Sequence, residues 1–234
     1  MRMNKTLALI ALSLVTAIGA HADEGFKSIF DGKTFAGWNA ADMKYWSIED
    51  GAITGKINKD LPLAENLYLI WQGGKLADFE LKLKSRVFGS PSINNGFQFR
   101  SEEMPNHDVK GYQVDNNLDT DWLVRLYDEH GRETLAWRGE SATFNEKGER
   151  SVAPIPSAQG PAKFKVNEWH EYHLICEGPH ITLKVNDEIV AEVFDNDPVQ
   201  QDFAGILGLQ LHTHNADVTV QFKDIQLKVL DKKK

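Results

Sequence analysis

Polar side chains alternate with apolar ones in three short segments of the chain, "NNGFQFRS" (94–101), "GYQVDN" (111–116) and "GLQLHTH" (208–214). Amides, a guanidinium, a carboxylate and imidazoles are the groups that bind sugar hydroxyls and move protons. The polar members of the three segments are Gln98 and Arg100, Gln113 and Asp115, and Gln210, His212 and His214. Their residue types point to a carbohydrate site with proton chemistry.

A β-strand is the element that positions such residues, because successive side chains of a strand point to opposite faces. Each segment therefore predicts an apolar row toward the core and a polar row toward the other face. If the three strands are neighbours on a concave sheet, their polar rows form the floor of a pocket. The alternative is a solvated face of an antiparallel sheet, but Lys and Glu, the usual surface residues, are missing from all three rows.

Side chains elsewhere in the sequence can complete such a pocket. Aromatic residues supply walls for a sugar ring, and the candidates are Trp122, Tyr127 and Trp169. The charged segment "LYDEHGR" (126–132) can bring Glu129 or Arg132 to the rim, although an ordinary charged turn explains it as well.

His212 and His214 also raise the question of a metal, since two histidines at i and i+2 of a strand share a face. A divalent cation would then take Asp115 or Glu129 as a third ligand. The alternative is a pair of strand-end histidines, one in the site and one in solvent. Asp115 and Glu129 are also conceivable as the paired carboxylates of a retaining glycosidase, but the sequence does not give their separation.

The rest of the chain repeats short alternating segments between turns, which is typical of an all-β sandwich or barrel. Asp50-Gly51 and Asn186-Asp187 are read as tight hairpin turns. Residues 139–167 contain three prolines, three glycines and little periodicity. We expect a loop there, either a flap beside the site or a decorative insertion.

The N-terminus carries Arg2 and Lys5, an apolar run over 7–18 and then Ala20-His21-Ala22. This pattern predicts a signal peptide over 1–22 and export to the periplasm or beyond, the alternative being an anchoring helix.

The remaining chain, 23–234, is long enough for one domain and has 24 basic and 34 acidic residues, a net charge of −10. That charge argues against nucleic acid and anionic membranes as partners. The lone cysteine, Cys176, is expected to be buried and unreactive.

An ordered set of segments resembles the 3-keto-disaccharide hydrolase family. The segments are "FKSIFDGKTFAGWN", "YWSIEDGAITGK", "DFELKLKSRV", "NNGFQFRS", "GYQVD", "LYDEHGR", "NEWHEYHLICEGPHITLKVND" and "GILGLQLH…VQFKDIQLKVL". They follow one another over essentially all of 23–234. The resemblance implies a concanavalin A-like jelly-roll β-sandwich of two antiparallel sheets in a single domain. It also implies action on glycosides that are oxidised at C3 of the sugar.

Carried over residue by residue, the family's pocket corresponds here to Asn95, Arg100, Gln113, Asp115, Gln210 and His212. A C3 ketone acidifies the C2 hydrogen, so a base can start β-elimination of the glycosidic oxygen from C1. His212 is the expected base or acid. Asp115 is expected either to orient His212 or to share the proton transfer, and Arg100 or a divalent cation is expected to stabilise the enolate. The other expected substrate contacts are Gln98, Tyr127, Glu129, Arg132 and Trp169.

Two other classes of function compete with this hypothesis. A non-catalytic carbohydrate-binding module would have the same sandwich and the same aromatic walls, without a base. A structural envelope protein would leave the three polar rows unexplained.

Overall fold

The fold is a sandwich of two β-sheets, seen in a computed structural model that describes residues 25–89, 93–118, 122–158, 165 and 167–231. The predicted signal peptide, 1–22, lies outside the described residues. Within the described ranges, no helix is long and apolar enough to cross a membrane.

The described residues contain seventeen strands. In chain order they are β1 (Lys27–Ser28), β2 (Trp38–Asn39), β3 (Trp46–Glu49), β4 (Ala52–Ile57), β5 (Leu67–Trp71), β6 (Phe79–Gly89), β7 (Ile93–Glu103), β8 (Val109–Leu118), β9 (Trp122–Glu129), β10 (Glu133–Trp137), β11 (Glu140–Phe144), β12 (Arg150–Pro154), β13 (His170–Glu177), β14 (His180–Val185), β15 (Glu188–Asp195), β16 (Ile206–Leu211) and β17 (Val218–Val229). Two short 3-10 helices, Met43–Tyr45 and Pro156–Ala158, complete the set.

One sheet has ten strands in the order β12-β11-β15-β14-β13-β6-β17-β4-β3, with β1 paired to β17. The other has seven strands in the order β10-β9-β8-β7-β16-β5-β2. Neighbouring strands run antiparallel except β11 and β15, which are parallel. The predicted all-β jelly-roll sandwich is confirmed.

The core lies between the two sheets and follows from alternation along the strands. From the seven-stranded sheet, Leu207, Leu209 and Leu211 of β16 are fully buried in it. From the ten-stranded sheet, β6 buries every second residue and turns its lysines to the outer face. The apolar row expected on "GLQLHTH" is thus the inward row.

The two predicted hairpin turns are confirmed. Asp50 and Gly51 have φ of 50° and 75° between β3 and β4, and Asn186 and Asp187 have φ of 48° and 66° between β14 and β15. Positive φ at both central residues matches the right-handed twist of the strands they join.

Cys176 lies on β13 and has no solvent exposure. Burial raises the pKa of its thiol to about 12. The side chain is therefore an apolar core residue, as its place in the alternation predicts.

The prediction of an irregular loop over 139–167 is wrong for most of that segment. β11 and β12 form a hairpin there, and β11 joins the sheet beside β15. The buried side chains that anchor β11 are only Ala142 and Phe144, so the apolar alternation is too short to stand out among prolines and glycines. Residues 159–164 and 166 lie outside the described residues.

The inward position of Leu211 predicts a clear stability contrast with its neighbour. Leu211→Ala should lower the free energy of unfolding by about 2–5 kcal/mol, because it leaves a cavity in the inter-sheet core. His212→Ala, one residue further on and half-buried, should leave the melting temperature nearly unchanged. Chemical denaturation of the two variants measures this, and an equal loss in both would contradict the described orientation of β16.

Candidate functional site

A polar layer covers the centre of the seven-stranded sheet on the face that points away from the ten-stranded sheet. We use this name for the side chains of Tyr68 (β5), Gln98 (β7), Gln113 (β8), Asp115 (β8), Arg125 (β9) and Gln210 (β16). The register places Gly208, Gln98, Gln113 and Tyr127 side by side across four strands. Alternation then puts the whole layer on one face.

Hydrogen bonds join the layer from one strand to the next. Gln113 Oε1 accepts from Gln98 Nε2 at 2.6 Å and from Gln210 Nε2 at 3.2 Å. Gln113 Nε2 donates to Asp115 Oδ1 at 3.2 Å, and Gln210 Nε2 also donates to the Tyr68 hydroxyl at 3.4 Å. The three glutamines predicted to share a face are therefore in direct contact with one another.

A glycine allows β7 and β8 to approach each other closely within the layer. Gly96 lies on the same face, opposite Asp115, and a Cβ added to it would come within 2.2 Å of the Val114 carbonyl oxygen. Any other residue at position 96 would therefore require the two strands to move apart.

The layer is almost closed to solvent. Tyr68, Gln98, Gln113, Asp115 and Gln210 are each no more than 2% exposed. Tyr68 also packs in a small apolar cluster on this face, together with Ile70, Val109 and Ile206. Buried polar groups cost free energy unless they are hydrogen-bonded, so the network holds the side chains in fixed positions.

One acceptor in the layer has no partner among the described residues. Gln210 Oε1 is buried and makes no hydrogen bond there, and the same holds for Asn94 Oδ1 on the same face. A buried oxygen without a donor is unfavourable. A ligand or water that donates to Gln210 would remove that cost.

An arginine carries positive charge at one edge of the layer. Arg125 Nε donates to Asp115 Oδ2 at 2.6 Å, and Nη1 donates to Thr134 Oγ1 at 2.9 Å. The guanidinium also lies 4.3 Å from the ring centre of Tyr127 and 5.0 Å from that of Trp137. Trp137 is 38% exposed and offers an aromatic surface beside the charged group.

Glu129 lies at the end of β9 on the same face, opposite Gly111. Its side chain is half-buried, and burial raises the pKa of the carboxyl above its ordinary value. The negative charges of Asp108 and Asp115 act in the same direction, while His130 and Arg125 oppose them. A carboxyl of this kind exchanges a proton closer to neutral pH than an ordinary glutamate does.

His212 follows the last residue of β16 and is half-buried. Its Nδ1 lies 2.6 Å from the carbonyl oxygen of Thr213. A carbonyl only accepts, so Nδ1 carries the proton and Nε2 of the neutral ring is the basic nitrogen.

The expected metal site is not assembled in the structure. His214 Nδ1 accepts a hydrogen bond from the Ala216 amide at 3.1 Å. Within the described ranges, no group of three or more histidine, cysteine, aspartate or glutamate residues could hold a metal ion.

Two residues assigned to the pocket by sequence face the other way. Asn95 points between the sheets and donates to Ser85 Oγ at 3.4 Å, because the alternation of β7 puts Asn94, not Asn95, on the face of Gln98. Arg100 sits where the β7 register slips, with φ of 48°. This β-bulge turns it inward.

The inward position of Arg100 gives its guanidinium a structural role. It is 2% exposed and donates to the carbonyl oxygens of Ala77 and Gly178, both at 2.8 Å, and to Asp78. The prediction that Arg100 stabilises an enolate on the polar face is therefore wrong.

Arg132 and Trp169 are also outside the layer. Arg132 binds Asp195 and Asp128, which links the two sheets. Trp169 packs under Arg86 at 4.6 Å, on the outer face of the ten-stranded sheet. The side chain of Trp122 is not among those described.

Tyr68 and Arg125 join the layer although the residue pattern did not select them. Both stand in regular alternation, Tyr68 between Leu67 and Leu69, and Arg125 between Val124 and Leu126. The alternation of polar and apolar residues was therefore present in both segments. Neither segment contains the glutamine by which each of the other three strands was selected.

Comparison of the sequence with known proteins places the chain in a family. Residues 25–228 match the family described as 3-keto-alpha-glucoside-1,2-lyase-like domains. A 3-keto-disaccharide hydrolase of Bacteroides thetaiotaomicron is 27% identical over an alignment of 245 positions, gaps included, which covers 89% of this chain and 79% of the relative.

Two solved structures share the fold at low sequence identity. A protein of Parabacteroides distasonis, described provisionally as a glycosyl hydrolase, superposes with a TM-score of 0.56 at 19% identity, covering 89% of this chain and 95% of its own. The carbohydrate-binding module CBM66 of Bacillus subtilis gives 0.54 at 16% identity, covering 82% and 95%.

These likenesses of structure concern the fold alone, whereas the sequence match extends over nearly the whole described chain. The sequence match indicates a carbohydrate-active, glycosyl hydrolase-like protein. The chain belongs to the family of 3-keto-alpha-glucoside-1,2-lyase-like domains.

Proposed function

We propose that this protein cleaves the glycosidic bond of 3-keto-glycosides or 3-keto-disaccharides on the polar layer of the seven-stranded sheet. The observation that carries the proposal is Glu129, a half-buried carboxyl with a raised pKa on the same face as a fixed array of sugar-binding amides. The family match and the Bacteroides relative support this substrate class.

Glu129 is the base of the proposed reaction. Its carboxylate takes the C2 proton, which the neighbouring C3 ketone has made acidic, and the electron pair of the C–H bond moves into an enolate. The enolate re-forms the ketone and a C1–C2 double bond while the glycosidic oxygen leaves with a proton. Water then adds at C1 to give hydrolysis, or the unsaturated ketone departs as the product of a lyase.

Tyr68 and the buried amides form a fixed floor beneath the sugar, which the accessible groups at its edge, Arg125 and Glu129, contact. Burial raises the pKa of the Tyr68 hydroxyl to about 12, and the charge of Glu129 adds to that effect. The hydroxyl therefore stays protonated at neutral pH and serves as a hydrogen-bond donor, whereas buried Gln210 Oε1 is an acceptor for a bridging water.

His212 is the second candidate for the base. Its fixed tautomer leaves the lone pair of Nε2 to accept a proton. The described contact of His212 is with Thr213 rather than with the polar layer, which favours Glu129 for the step at C2.

A non-catalytic carbohydrate-binding module is the alternative function. The fold shared with CBM66 is the observation in its favour. Such a module would hold a sugar on the same amides, but it would need neither a carboxyl with a raised pKa nor a ketone in its ligand.

The first experiment compares a 3-keto-glucoside with its parent glucoside. Wild-type protein should release the aglycone from the ketone and leave the parent intact, because only the ketone acidifies C2. Glu129→Gln should lower kcat/KM by about a hundredfold or more, the scale on which general bases contribute.

Glu133→Gln is the matched control, since it removes an exposed carboxylate from the neighbouring strand. It should retain wild-type turnover. Binding of the 3-keto-glucoside without any release of aglycone by the wild type would support the binding module instead.

The pH dependence of cleavage tests the role of Glu129. The base must be ionised, so kcat/KM should rise with pH through the pKa of Glu129 in the free enzyme. Because burial raises this pKa above the ordinary value of 4.5, the midpoint of the acidic limb should lie above 4.5. This acidic limb should be absent from the residual activity of Glu129→Gln. If the limb is unchanged in that variant, another group causes it, and His212 is the next candidate.

We also propose that the protein is exported and acts in the periplasm or outside the cell. The support is the basic start, the apolar run and Ala20-His21-Ala22. N-terminal sequencing of the exported protein should begin at Asp23, and a retained Met1 would contradict the proposal.

A further inference from the structure

The proposed reaction needs a positively charged donor at the C3 oxygen, where negative charge develops when the C2 proton leaves. Arg100, expected in that role from sequence, is buried between the sheets, with its donors directed to Ala77, Gly178 and Asp78. The role is therefore open, and assigning it to another residue rests on the proposed function.

Arg125 has the position that Arg100 lacks. It lies on the same strand and face as Glu129, with Tyr127 between them on that face, and its charge lowers the pKa of the Glu129 carboxyl. Its bond to Thr134 directs the guanidinium along β9 from the row of Asp115 toward the row of Tyr127. This is the direction in which Glu129 lies.

The guanidinium is held before any ligand binds. Asp115 and Thr134 engage Nε and Nη1, and the rings of Tyr127 and Trp137 lie 4.3 and 5.0 Å from its central carbon. Among the described residues, Nη2 makes no hydrogen bond, and the side chain is 24% exposed. An arginine so held has N–H groups left for a ligand and loses little entropy when it donates them.

We infer that Arg125 is the oxyanion-stabilising residue of this site and donates from Nη2 to the C3 oxygen of the 3-keto-sugar. As Glu129 takes the C2 proton, the electron pair of the C–H bond forms the C2–C3 double bond and the C3 oxygen becomes negative. Arg125 binds this oxygen more strongly than the neutral ketone. When the oxygen on C1 is expelled, the C3 carbonyl re-forms and the charge passes to the leaving group, which takes up a proton.

Asp115 acts through Arg125 as a positioning residue. Its carboxylate is buried, bonded to Gln113 and paired with the guanidinium. It fixes the plane of the Arg125 guanidinium and connects it to the buried amides of the polar layer. The sequence-based role of Asp115 in proton transfer is replaced here by a role in orientation.

The experiment measures kcat and KM for p-nitrophenyl 3-keto-glucoside with wild type, Arg125→Ala and Arg125→Lys, after circular dichroism has shown that each is folded. Arg125→Ala should lose about a hundredfold or more in kcat with KM changed far less, as when one oxyanion donor is removed. Millimolar guanidinium should restore part of that loss. Arg125→Lys keeps the charge without the planar fork and should stay below a tenth of the wild-type kcat.

Arg86→Ala is the matched control. Arg86 also contacts an aromatic ring and a polar partner, Trp169 and Gln221, but on the outer face of the other sheet. This variant should keep wild-type kcat and show no response to guanidinium.

The outcomes separate this inference from the proposed function. A wild type that does not cleave the 3-keto-glucoside overturns the function. A wild type that cleaves it, together with a folded Arg125→Ala or Arg125→Lys that keeps wild-type kcat or loses only in KM, overturns the role of Arg125 and leaves the function standing.

Discussion

The hydrogen bonds that converge on Gln113 organise the candidate functional face of this protein. Its Oε1 accepts from Gln98 and Gln210, and its Nε2 donates to Asp115. One side chain thereby links β7, β8 and β16 and transmits their positions to Arg125 through Asp115. Because every member is buried or stacked, moving one breaks hydrogen bonds that solvent cannot replace. The layer is a rigid base on which a sugar can be oriented.

In the proposed function, this arrangement separates the residues that orient the sugar from the residues that act on it. The buried amides and Tyr68 set the geometry, while the groups with protons or charge to offer, Glu129 and Arg125, lie at the edge of the layer and are partly accessible. Burial raises the pKa of Glu129 without isolating it from solvent. In the proposed reaction a ketone makes the C2 hydrogen of the substrate acidic, so the protein would need only a moderate base and one good anion donor.

Sequence reasoning succeeded where the strands are regular. Alternation alone put Gln98, Gln113 and Gln210 on one face, and the structure places them in contact. It failed for Arg100 because a β-bulge after Gln98 exchanges the two faces on which the following β7 side chains lie. No residue pattern in the sequence indicates that bulge. The prediction for Asn95 was wrong because this residue was selected from the family resemblance and not from the alternation along the strand. Trp169 was chosen by residue type, which does not say which sheet or face a side chain belongs to.

The central claim is that the sugar binds on the polar layer of the seven-stranded sheet. A crystal structure of Glu129→Gln soaked with a 3-keto-disaccharide tests it most directly, since a slowed enzyme retains its substrate. We expect the keto-sugar over the layer, with its C3 oxygen on Arg125 and C2 facing residue 129. A sugar bound instead on the outer face of the ten-stranded sheet, near Trp169, would contradict this claim.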